Sequence, residues 1–115
     1  VEGTGLENDK NDARRSTRLS LQFAIVITSL DPACDFLAEH KTVVVNAHGG
    51  GVIVRKELKK NTMVMVELVS NGRSKRGRVV LVVPLPDTAS WLMGFEFDSP
   101  SNFWEIDNPP ADWSV

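Results

Sequence analysis

From residue 19 to residue 97 the chain is a succession of short apolar runs, alternating or β-branched, cut every few residues by turn signals. That pattern leaves room for almost no helix. Leu19, Leu21, Phe23, Ile25 and Ile27 alternate with Ser20, Gln22, Ala24, Val26 and Thr28, the period of two of a half-buried strand, which Asp31-Pro32 ends. Residues 32–41 read either as one helical turn or as a loop. Residues 40–46, with Val43, Val44 and Val45 in sequence, predict a second strand; Gly49, Gly50 and Gly51 predict a turn, and Val52, Ile53 and Val54 a third strand. A turn over residues 58–61, where Asn61 can take a left-handed conformation, leads to a strand over residues 62–69. Asn71-Gly72 signals a hairpin, residues 75–83 return, and Trp91–Phe97 closes the series. About six short antiparallel strands dispose of their exposed edges best by closing on themselves. The expected fold is therefore an all-β, six-stranded antiparallel barrel with little helix.

A chain of 115 residues makes one domain. Residues 1–13 are polar and without periodicity and read as a flexible leader; residues 14–98 hold the barrel. Residues 99–115, with Phe103, Trp104, Trp113 and two adjacent prolines, read as an aromatic tail that packs on the barrel. The net charge of −2 hides an asymmetry: residues 1–78 carry 13 basic and 9 acidic side chains, residues 79–115 carry 6 acidic and no basic ones. A wide basic track for bulk nucleic acid is not available in such a chain, but a compact anion held by a few arginines is. Arg73, Lys75, Arg76 and Arg78 around the second hairpin read as charged protection of a strand edge rather than as ligand surface.

The single cysteine, Cys34, excludes an internal disulfide and a cysteine metal site, and fits a reducing compartment; a cytoplasmic location is expected. No apolar run approaches the ~18 residues of a membrane span, and no metal-ligand spacing is present. His40 and His48 lie in or beside strands with no serine-nucleophile motif around them, so no catalytic role and no metal or cofactor is expected.

Two segments carry chemistry. Arg14, Arg15 and Arg18 stand just before the first strand, and arginine forks match two-acceptor targets such as phosphate oxygens and the O6/N7 edge of guanine. In the second, Asn46 offers an amide suited to a purine edge, His48 can donate to a phosphate, and Gly50 and Gly51 let a ligand approach the backbone. A basic linker and a tight glycine hairpin are what each segment would be on its own.

In this order and spacing, Arg14-x-x-x-Arg18 before the first strand and Asn46-x-His48-x-x-Gly51 after the second resemble the signature of the PilZ family. The closing Gly94-Phe95-Glu96-Phe97 looks like that family's last strand, and the resemblance covers roughly residues 13–98. It implies a six-stranded barrel that binds the bacterial second messenger cyclic di-GMP, with Arg14 and Arg18 on guanine and phosphate, Arg15 beside them, Asn46 on a guanine edge and bare backbone at Gly51. His48 stands where the family has serine. Family members that bind no nucleotide serve as adaptors for a protein partner of motility, pilus or secretion machinery, which is the alternative reading. A barrel that stacks single-stranded nucleic acid is disfavoured, since the tryptophans fall late in an acidic region and no tyrosine is present.

Overall fold

The computed structural model describes residues 16–113. Arg14, Arg15 and the leader over residues 1–13 lie outside the described residues. Six strands form: β1 (Ala24–Ser29), β2 (Leu37–Asn46), β3 (Gly49–Val54), β4 (Met63–Leu68), β5 (Ser74–Pro84) and β6 (Trp91–Phe97). Every pairing is antiparallel, and the order β1-β2-β3-β6-β5-β4 closes because β4 also pairs with β1. The only helical element among the described residues is one 3₁₀ turn, Ala111–Trp113.

Strand alternation places the core. Ile25 and Ile27, Val45, Val52 and Val54, Val64 and Val66, Val79, and Met93, Phe95 and Phe97 point inward and are buried. Aromatic rings from the tail close one end: Phe103 packs edge-on against Trp104 at 5.1 Å between centroids and lies 4.9 Å from Phe97, while Trp104 stacks on Phe23 at 5.4 Å. The indole N–H of Trp104 donates to the Asn46 carbonyl at 3.0 Å, so the polar end of this buried ring has a partner.

Two expectations from the sequence are corrected and a third is refined. The regular part of the first strand starts at Ala24 rather than near Leu19, although Leu19 makes an isolated bridge to Val45. The Thr42 hydroxyl enters the ladder in between, accepting from Phe23 N at 2.9 Å and donating to Leu21 O at 2.7 Å, which replaces regular backbone pairing. The three glycines are not a turn but the first half of β3. The turn between β2 and β3 is Ala47-His48, neither with positive φ, and close approach rather than backbone freedom selects glycine there. The Asn71-Gly72 hairpin exists, but only Gly72 is left-handed (φ 73°). Its loop closes with Leu68 N donating to Arg73 O at 2.7 Å, a longer turn than a two-residue one.

Closure also changes the role of the basic hairpin. β5 has neighbours on both sides, so Arg73, Arg76 and Arg78 protect no edge. They meet the acidic part of the chain: Arg73 and Glu105 at 2.9 Å, Arg76 and Asp98 at 3.2 Å, Arg78 and Glu96 at 3.6 Å. Lys75 Nζ donates to Ser99 O and Ser101 Oγ, and burial, helped by the Arg73 charge and opposed by Asp98, lowers its pKa. Hydrogen bonds from Asn71 and then Arg73 hold the Glu105 carboxyl below its ordinary 4.5. In the window below 4.5 the unfolded chain then binds more protons at this site than the folded one. The stabilisation is therefore present above 4.5 and lost as pH falls through the lowered folded value. Acidification is expected to release the hairpin loop from residue 105 in that window. An NMR titration of the Glu105 carboxyl and the Asn71 side-chain amide checks this; a Glu105 midpoint at or above 4.5 contradicts it.

Candidate ligand cleft

The outer faces of β2, β3, β6 and β5 form a cleft of about 210 Å³, lined by Arg18, Asn46 and His48 at one end and by Val44, Leu81 and Leu92 along its walls. Its floor is bare backbone. Gly51 and Gly94 are cross-strand partners on the outward side of their strands, and a Cβ there would come within 3.1 Å of Val44 Cγ1 and 3.2 Å of Leu81 Cβ. The two register shifts of the barrel, between Thr42 and Val44 and between Val79 and Leu81, fall at its two walls. A bulge inserts a residue and re-aims its neighbours, and here both act on cleft-lining side chains.

Five residues singled out in the sequence, Arg18, Asn46, His48, Gly50 and Gly51, thus line one cleft, drawn from three places in the fold. Arg18 is exposed on the rim, and its guanidinium has no hydrogen bond or ion pair with another described residue. Asn46 is partly committed. Its Oδ1 accepts from His48 N at 2.9 Å, an Asx turn that fixes the hairpin, while Nδ2 has no partner among the described residues. Gly50 points inward, where a Cβ would meet the Phe95 and Trp104 rings at 3.1 and 3.2 Å.

Ser16, one of the two residues between Arg15 and Arg18, is 2% exposed, and its Oγ accepts from Ala47 N and shares a hydrogen bond with His48 Nδ1, both at 3.2 Å. The sequence offers no sign of this pairing, because the two residues lie far apart in the chain and neither belongs to a nucleophile motif. The hydroxyl is buried under the hairpin, so its part is to anchor the segment and orient the imidazole. On the far side Leu19 exchanges two backbone hydrogen bonds with Val45, at 2.8 and 2.9 Å. Arg18 is therefore placed by protein contacts on both sides of it.

Glu96, Leu81, Leu92, Gly94 and Val44 line the cleft without having been singled out in the sequence. The isolated Gly94 inside a strand was the available signal, since glycine in a strand marks close approach. From it the period of two leads to Leu92 and Glu96 on the same face. A carboxylate is a poor neighbour for an anion, and it is a hydrogen-bond acceptor only.

Among the described residues no helix is long and apolar enough to cross a membrane, and no cluster of His, Cys, Asp or Glu is arranged to hold a metal ion. No protein-family model matches the chain, and neither a curated protein nor a solved structure matches it.

Proposed function

We propose that this barrel is a receptor module for cyclic di-GMP in bacterial second-messenger signalling, of the PilZ type that the motif spacing resembles. The observation that carries the reading is the convergence of Arg18, Asn46, His48, Gly50 and Gly51 on one cleft. A ligand with two phosphates and two guanines matches what lines it. The Arg18 fork takes a phosphate or the O6/N7 edge. Asn46 keeps Nδ2 to donate to that edge, and Val44, Leu81 and Leu92 offer apolar contact to a base. Arg15 immediately precedes the anchored Ser16 and Arg14 stands one residue before it; both are assigned to the remaining phosphate and guanine. A volume of about 210 Å³ is below the ~300–1,000 Å³ of a cleft that engulfs an organic ligand, so one base lies in it and the rest of the dinucleotide lies across the rim.

Calorimetric titration with cyclic di-GMP is expected to show saturable binding. Arg18→Ala is expected to weaken it by about 1.5–3 kcal/mol, the scale of hydrogen bonds to charged groups. Absence of heat at high micromolar ligand defeats the proposal.

One observation favours the adaptor reading in that event. Ile53, Leu92 and Val83 are cross-strand neighbours on the outer face of β3, β6 and β5, with Ile53 46% and Val83 40% exposed. That row continues the apolar walls of the cleft and is the kind of surface a protein partner covers. Silent titration together with a stable complex lost on Ile53→Asp supports it.

A further inference from the structure

The tail is expected from its acidity to be a poor neighbour for an anion site, yet it sits directly on the arginine segment. Asp112, in the terminal 3₁₀ turn, accepts from Thr17 N through both carboxylate oxygens, at 3.1 and 3.0 Å, and from Thr17 Oγ1 at 2.8 Å. Trp113 is 3% exposed, and its indole N–H donates to the Thr17 carbonyl at 2.8 Å. Every polar group of Thr17 is therefore bonded to the last described turn of the chain. Thr17 lies between the arginines, immediately before Arg18.

From this geometry we infer that Asp112 and Trp113 are positioning residues for the arginine segment: the C-terminal turn straps Thr17 to the barrel, and ligand affinity depends on that strap. The inference rests on the cleft being the ligand site. The physical ground is preorganisation. Ser16 is tied to the β2–β3 hairpin and Leu19 to Val45, but between them, among the described residues, only the tail holds the peptide on which Arg18 is mounted. With the strap released, the segment samples other directions, and apparent Kd rises as the fraction of chains with Arg18 over the cleft falls.

The test uses the full chain and two independent readouts. Asp112 is exposed, so Asp112→Ala is expected to leave the barrel folded, which a thermal melt checks. Without ligand, amide hydrogen exchange at Thr17 is expected to rise roughly tenfold in Asp112→Ala, and the Kd for cyclic di-GMP to rise by a similar factor, as for loss of hydrogen bonds to a charged group. Asp112→Asn keeps one oxygen able to accept from both Thr17 N and Oγ1, and is expected to recover much of both effects, as a general loss of stability is not. Unchanged exchange in Asp112→Ala overturns the strap. Faster exchange with wild-type affinity overturns its positioning role. If the unaltered chain binds no cyclic di-GMP, the functional reading fails and with it the affinity claim, while exchange still decides whether the tail holds the segment.

Discussion

Gly49→Ala is expected to destabilise the barrel by more than ~3 kcal/mol, at the severe end for a single methyl group. The reason is space, since Gly49 has an ordinary negative-φ backbone. A Cβ there would stand 2.0 Å from the Phe95 carbonyl oxygen and 2.9 Å from its carbon, and neither atom is the end of a side chain that can turn away. β3 and β6 would have to separate where Gly49 pairs with Glu96 and where Phe97 N donates to His48 O at 2.6 Å. Gly72 provides the contrast. It is left-handed, with nothing within 4 Å of its would-be Cβ, so Gly72→Ala is expected to cost only the backbone strain of roughly 1–2 kcal/mol. Urea denaturation of both variants at constant m-value separates the two mechanisms. Equal costs would mean that β3 and β6 do not approach as closely as described.

Trp104→Ala is the second large effect, an expected loss of about 3–5 kcal/mol, as for other buried large aromatics. Trp104 is 2% exposed and touches Phe23, Phe95, Phe97 and Phe103, so its removal opens the closed end of the barrel. Trp104→Phe refills part of the volume but removes the indole hydrogen bond to the Asn46 carbonyl, at about 0.5–1.5 kcal/mol for a typical hydrogen bond. Asn46 also sets the hairpin that bears His48, so both substitutions are expected to weaken ligand binding as well as stability. Denaturant midpoints measured beside calorimetric titration check the pair. A Trp104→Ala midpoint near that of the unaltered chain contradicts the packing described for the tail.

The barrel was legible in the sequence because alternation and turn residues act locally. Trp91–Phe97 has the bounds its pattern predicts, and Asn61 is left-handed (φ 77°) as its turn requires. The walls of the cleft were not legible. Both register shifts lie at unbroken apolar runs, Val43-Val44-Val45 and Val79-Val80-Leu81, where a change of face leaves no mark. The glycines were visible but misplaced, since the letter does not say whether positive φ or close approach selects it. Arg18, Asn46, His48 and Gly51 were found through motif spacing, which a sequence displays. Ser16, Thr17, Asp112 and Trp113 were missed because what joins them is tertiary. An Asp and a Trp at the far end of a chain announce no partner near its beginning.

That separation has a consequence in time. The bonds joining Thr17 to Asp112 and Trp113 span 95 and 96 positions, nearly the whole described length, among the most non-local contacts the fold makes. Contacts of high sequence separation raise contact order and slow folding, because loop closure must precede their reward. On a ribosome the arginine segment is made among the first described residues and the turn that straps it among the last. A nascent chain can therefore pair its early strands well before it can hold Arg18 in place.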